Sequence, residues 1–302
     1  MGEHMIELMI PARRKDLGGF EVGRILPWTK RRMVGPFIFF DHMGPVDFPP
    51  NVPRKTDVRP HPHIGLSTIT YLYQGEIVHR DSAGYHQTIR PGEVNWMTAG
   101  SGISHSERFD TIRATGGNLH GIQAWIALPE AVEETSPSFV HFDAAQLPSH
   151  EEPGLSIKVI AGEAYGLKSP VTTLSPLFYA HLDLDAGSTA EMCGGYSERA
   201  IYVTHGRAEI DGEQYEAGQM AVLAPGSRPA ITATERSIVM LLGGEPVGPR
   251  HIWWNFVSSR QERIEQAKED WRAGRIKLPV NDDQEFIPLP EEPPKPRPEP
   301  MS

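Results

Sequence analysis

The sequence predicts an all-β protein built as two related barrels, with one helix near its C-terminal end. Three observations predict it. Glycine and proline are plentiful, 29 and 28 in 302 residues, and they fall between short segments rich in Val, Ile, Thr, Tyr and Trp, the punctuation of antiparallel strands. A strand, turn, strand unit framed by glycines occurs twice, at Gly75 to Gly92 and at Gly206 to Gly218, as two copies of one barrel would give. A single stretch carries a helical period.

In chain order, the expected strands of the first half are Ser67 to Tyr73, Glu93 to Met97 and Gln123 to Leu128. Those of the second are Ile201 to Thr204, Met220 to Leu223 and Ser237 to Leu242. All combine β-branched or aromatic residues with flanking turn formers. The helix begins where Ser259 precedes Glu262 as a capping box, shows Ile264, Ala267 and Trp271 on one face, and closes at Gly274. Pro288 to Ser302 contains seven prolines, a composition that resists ladder and helix hydrogen bonds, so this tail is expected to be extended or disordered. The expected division is 1–140, 141–281 and the tail 282–302.

Composition narrows the function. With 39% hydrophobic and 23% charged residues and no apolar run near the ~20 residues of a membrane-spanning helix, the chain reads as soluble and globular. Glu3, His4 and Glu7 stand where a secretory signal would have a basic start and an apolar core, so a cytoplasmic location is expected. Cys193 is the single cysteine, which excludes an internal disulfide and moves metal chemistry to His and carboxylates. A net charge of -10 argues against direct nucleic-acid binding, and the Lys30-Arg31-Arg32 cluster reads as a solvated turn.

Two segments carry candidate chemistry. His61-Pro62-His63 places two imidazoles on one face of a strand, and His105-Ser106-Glu107 places an imidazole and a carboxylate likewise. Spacing alone decides little, since chance predicts roughly 0.6 His-x-His pairs here and His150 and Glu152 repeat the His-x-Glu spacing. Context adds weight: Gly100 and Gly102 lead tightly into His105, and three imidazoles with one carboxylate form a complete ligand set for a mononuclear transition metal. His79 and Asp81, also two apart, read as ordinary turn and strand hydrogen bonding ahead of a supporting role behind a metal ligand or at the site's rim, and His42 as a satisfied polar group at a Gly-Pro turn. Phe37, Phe39, Phe40 and Phe48 read as core ahead of the lining of a hydrophobic pocket, Trp96 and Met97 likewise, and Cys193 as inert ahead of a redox sensor.

The order and wording of these segments resemble the pirin branch of the cupin superfamily. Pro36 to Pro45 (PFIFFDHMGP), His61 to Gly75 (HPHIGLSTITYLYQG), His79 to Gly84 (HRDSAG) and Trp96 to Glu107 (WMTAGSGISHSE) are similar to its successive signatures. The resemblance continues more weakly through the C-terminal half. It implies two cupin (jelly-roll) β-barrels packed face to face, with an iron ion on His61, His63, His105 and Glu107 of the first and no metal in the second. General cupins place a glutamate where this chain has Ser67, which favours pirin over a generic cupin.

Some pirins cleave the flavonol quercetin with dioxygen, which implies a flavonol-like substrate and O2, with Glu107 as the catalytic proton acceptor. Others act as metal-dependent co-regulators of transcription factors, which implies a protein partner. Nitrogen and oxygen ligands select weakly among iron, zinc, nickel, manganese, cobalt and copper, so the ion stays open.

Overall fold

The computed structural model describes residues 4–291. Its strands pair antiparallel into two jelly-roll units, each a large sheet closed by a four-stranded one. In the first, the large sheet runs Ser138–Phe142, Val94–Thr98, Leu66–Gln74, Gly117–Ala127, Phe37–Phe48, Glu21–Leu26 and Arg13–Asp16. The small sheet runs Val58–His63, Ile103–Arg108, Ile77–Asp81 and His86–Ile89. In the second, Gln219–Leu223, Glu198–His205, Ser237–Gly244 and Leu177–Leu184 form the centre of the large sheet, and Arg207–Ile210 pairs with Glu213–Glu216 in the small one. All six expected strands are present within a few residues. The repeated glycine-framed units form equivalent hairpins, Ile77–Asp81 with His86–Ile89 and Arg207–Ile210 with Glu213–Glu216.

The two large sheets pack face to face. Strand periodicity does the sorting: along Glu198–His205, Ala200 and Tyr202 enter the core shared by the barrels while Ile201 and Val203 fill the second barrel. Ser237–Gly244 repeats the pattern with Met240 and Leu242 against Val239 and Leu241. Both faces are therefore covered, which is why these strands read as continuous apolar runs rather than alternating ones. Phe37, Phe40, Ile69, Tyr71 and Ile122 supply the first barrel's side. A buried polar layer crosses this interface: His42 Nδ1 lies 2.6 Å from the Tyr202 hydroxyl and its Nε2 lies 2.8 Å from Nε2 of His120. Tyr71 meets His181 at 2.8 Å.

Two stretches sit across the expected division at residue 140. Ile6–Pro11 pairs with Gln219–Leu223 and so belongs to the second barrel's large sheet. His251–Trp253, Phe256–Ser258 and the helix Gln261–Arg272 return to the first barrel, where Ile64, Phe256, Ile264, Ala267, Trp271 and Ile276 form one apolar cluster. The expected helix face is buried as read. Its capping box is not formed. Ser259 instead donates to Glu133, by its backbone N–H at 2.9 Å and its hydroxyl at 2.8 Å, because the buried Glu133 carboxylate draws the donors of Ser258 and Ser259 away from the helix.

The expected 282–302 tail also needs correction over its first ten residues. Asp282 is buried and accepts from Arg108 (Nε and one Nη, each 2.7 Å) and from Ser106 (2.6 Å), and the Ile287 N–H donates to the Pro60 carbonyl at 2.8 Å. Arginine pairing outweighs the proline content here. The remainder of the tail lies outside the described residues.

Candidate metal centre

The centre is built on the small sheet of the first barrel. Ile103–Arg108 lies between Val58–His63 and Ile77–Asp81, in a register that sets His105 opposite His61 on one side and opposite Asp81 on the other. The glycines before His105 fix the approach: Gly100 and Gly102 have φ of +50° and +146°, and a side chain at Gly100 would run into the Thr135 carbonyl. The Gly100 carbonyl also accepts the Gly65 N–H at 2.9 Å, tying the turn after His63 to the turn before His105.

His61, His63 and His105 are buried, and one ring nitrogen from each falls within 4.8 Å of the other two. The opposite nitrogens explain why. His61 Nδ1 donates to the Arg59 carbonyl at 2.8 Å and His63 Nδ1 to the Asn255 carbonyl at 3.1 Å. A carbonyl only accepts, so both protons sit on Nδ1 and both Nε2 lone pairs face inward. His63 Nε2 and His105 Nε2 are 3.1 Å apart. Ligand nitrogens sharing one ion at bonds of about 2.1 Å are separated by roughly 3.0–3.4 Å, so the spacing matches that of two nitrogens on a shared cation.

The electrostatics agree. Burial pushes His61 down to about 4 and holds His63 and His105 well below the ordinary imidazole range, with the neighbouring histidines adding to the depression in each case. All three are neutral near pH 7, the form that ligates. Glu107 follows two residues after His105, on the wall of the same cavity. Burial raises its pKa to about 7, and its carboxylate has no hydrogen-bond or ionic partner among the described residues. It stands outside the tight grouping of the three nitrogens. The donor set, three neutral imidazoles with an uncommitted carboxylate beside them, fits a single transition-metal ion.

His61, His63 and Glu107 open onto a cavity of about 590 Å³. Its wall includes Phe39 stacked on Trp125 at 3.9 Å and 12°, with the Arg24 guanidinium 4.5 Å above Phe39. Arg24 is held by Asp41 through two hydrogen bonds of 2.9 and 2.8 Å. Phe20, Val22, Ile77 and Phe109 make the rest mostly apolar, while Trp254, Asn255, Glu285 and Ile287 arrive from the C-terminal segment.

Several sequence readings change. Phe39 both lines the cavity and packs in the core, whereas Phe37, Phe40, Phe48, Trp96 and Met97 are core alone. His42 is satisfied by Tyr202 of the second barrel and His120 of the first, not by its own turn. His79 and Asp81 lie directly behind His105, with His79 Nδ1 3.3 Å from His105 Nδ1. From sequence alone no cavity role attached to Arg24, Asp41, Gln123 or Trp125, although Asp41 lies inside the Pro36 to Pro45 motif; Arg24 and Asp41 are opposite charges paired on adjacent strands. Ser67 bonds to Thr98 at 2.9 Å within the sheet, and burial pushes the Cys193 thiol up to about 12. A second trio, Glu93, His141 and Asp143, faces solvent, and Asp143 is committed as the cap of a short 3-10 turn.

Comparison with known proteins agrees with this architecture. The pirin family model matches residues 19–126, and the model of the pirin C-terminal cupin domain matches residues 179–277. A pirin-like protein of Caulobacter vibrioides is 61% identical over 288 residues, covering 95% of this chain and all of that one. A crystal structure of quercetin 2,3-dioxygenase from Acinetobacter baumannii superposes with a TM-score of 0.88 at 35% identity, over 97% of both chains. A bacterial pirin of Escherichia coli solved with nickel(II) shares the fold, with a TM-score of 0.60 at 18% identity over 79% of this chain and 99% of its own. Two barrels in face-to-face contact, a histidine trio confined to the first, and these matches along nearly the whole chain place the protein in the pirin family.

Proposed function

We propose that the chain is a metal-dependent dioxygenase that cleaves a flavonol such as quercetin with O2, holding one ion, iron by preference, on His61, His63, His105 and Glu107. The observation that carries the reading is the convergence of three neutral imidazoles beside the uncommitted Glu107 carboxylate on a cavity with a flat aromatic wall. When bound, the ion supplies Lewis acidity and a meeting place for the substrate's oxygens and O2.

The chain's own residues do the rest. The Phe39–Trp125 pair offers a flat face to an aromatic ring. Arg24, fixed by Asp41, lies over the Phe39 ring of that wall. Phe20, Val22, Ile77 and Phe109 exclude water from the bound ring. Glu107, on the cavity wall beside the imidazoles, is placed to take the proton of a substrate hydroxyl at its carboxylate. The quercetinase relatives support the substrate class.

The test is anaerobic loading with Fe(II), addition of quercetin and then oxygen, with metal content measured alongside. About one metal per chain and an oxygen-dependent loss of quercetin absorbance are expected, both lost in His61→Ala and the turnover lost in Glu107→Ala. An iron-loaded protein that leaves quercetin intact would remove the reading. Metal without turnover would favour the regulatory alternative, a metal-dependent protein that binds a partner.

A further inference from the structure

We propose that Asp81 and His79 are positioning residues that dictate the tautomer of His105 and so its ability to ligate. The proposal rests on the metal reading above. His61 and His63 lean on main-chain carbonyls, which fix their protons without help. His105 alone leans on another side chain, His79, at 3.3 Å between the two Nδ1 atoms, and an imidazole nitrogen can present either a proton or a lone pair. Something further must choose.

Asp81 makes the choice. Its Oδ1 accepts the N–H groups of Ala83 (2.9 Å) and Tyr85 (3.0 Å), and its Oδ2 lies 2.9 Å from His79 Nε2. A carboxylate only accepts, so the His79 proton is drawn to Nε2 and the lone pair to Nδ1. That lone pair receives the His105 Nδ1 proton, which leaves the His105 Nε2 lone pair facing the other two imidazoles. The chain is closed to water: Asp81, His79 and His105 are 0%, 4% and 1% exposed. His79 is held flat by stacking on Phe139 at 4.4 Å and 19°.

This geometry gives an unusual expectation for Asp81→Asn. The two backbone N–H groups on Oδ1 would hold the amide oxygen in that position, so the amide NH2 would point at His79 Nε2. The His79 proton would then move to Nδ1 and meet His105 Nδ1, which could only accept; the His105 proton would shift to Nε2, where the ion belongs. Asparagine would invert the relay, whereas alanine would merely release it.

The experiment is titration with Co(II), read by visible absorption and by competition with a chelator, on wild type, Asp81→Asn, Asp81→Ala, His79→Phe and His61→Ala, with thermal unfolding as the check on folding. Loss of a partner behind a metal-bound histidine typically weakens binding by about 10- to 100-fold. We expect Asp81→Asn to lose affinity within that range and to bind more weakly than Asp81→Ala, while unfolding at the higher temperature of the two. His79→Phe should bind more weakly than wild type with an altered cobalt spectrum. Wild-type affinity in Asp81→Asn, or alanine weaker than asparagine, would overturn the relay while leaving the site intact. A wild-type cobalt signal unchanged by His61→Ala would instead overturn the metal reading on which the relay rests.

Discussion

The Nδ1 proton of His63 is held by the backbone carbonyl of Asn255, 192 residues further along the chain. The C-terminal segment therefore completes a side chain of the first barrel, and its anchoring should be felt at the metal. Phe256 and Trp271 fix that segment in a buried cluster with Ile64 and Ile264. Phe256→Ala should cost about 3–5 kcal/mol of stability and also weaken metal binding, although Phe256 is no ligand. Chemical unfolding and a metal titration on the same sample would check both effects.

Arg108 is 2% exposed and binds Asp282 through two nitrogens at 2.7 Å, with Glu285 at 3.1 Å. Arg108→Met should cost about 3–5 kcal/mol, because it leaves a buried carboxylate without its bidentate partner, with only Ser106 and the more exposed Arg54 remaining. Burial raises the Asp282 carboxyl, but hydrogen bonds from Arg108 and Ser106 outweigh it and hold the pKa below the ordinary 3.8. A depressed carboxyl contributes stability that is present above the unfolded value and lost as pH falls through the folded one. Residues 279–287 should therefore stay docked at neutral pH and become sensitive to protease only below about pH 4, which limited proteolysis across a pH series would show.

The His42 and His120 pair sets a second pH dependence, in the layer between the barrels. Burial and mutual repulsion bring His42 down to about 3, and burial with the nearby His205 brings His120 to about 4. Depressed imidazoles contribute stability that is complete above the unfolded value near 6.5 and lost as pH falls towards 4, because the unfolded chain takes up protons that the native one refuses. The wild type should lose stability steadily from pH 6.5 to 4. His42→Phe should show a shallower slope over the same range, measured by urea midpoints, even if it starts lower at pH 7 through the lost bond to Tyr202.

The Phe39–Trp125 stack makes a prediction about substrate. Trp125→Leu removes the flat surface beside His63, whose ring lies 5.0 Å from Trp125. Under the proposed activity, KM for an aromatic substrate should rise about tenfold, which corresponds to roughly 1.4 kcal/mol of lost stacking. The cobalt spectrum should stay unchanged, since no metal-facing nitrogen moves. Steady-state kinetics alongside cobalt titration would check it.

The all-β architecture and the two copies were legible because each leaves a local trace, turn residues at short intervals and a repeated glycine frame; the histidine trio was legible through the motifs around it, since pairs two apart on a strand decide little alone. What stayed hidden was non-local. His79 two residues from Asp81 looks like any turn pair until the register of Ile77–Asp81 against Ile103–Arg108 places it behind His105. The Ser259 capping box was locally sound and lost to Glu133, a buried acceptor 126 residues away. Asp282 lies beside a proline-rich tail yet is ordered by Arg108, a partner 174 residues earlier in the chain. Local propensity is a weak prior wherever a buried charge must find its counterpart.

The strand Ile6–Pro11 also bears on how the molecule is made. Its partner residues include Met220, which faces Ile10 from 210 residues further along the chain. At synthesis rates of about 5–20 residues per second, it waits roughly 10–40 s before that edge exists. During this interval an apolar strand is exposed with nothing to pair with, and the first barrel can close around its histidines while still lacking Asn255. Newborn chains should accordingly depend on holding factors, and the metal should enter late, once translation has passed residue 255.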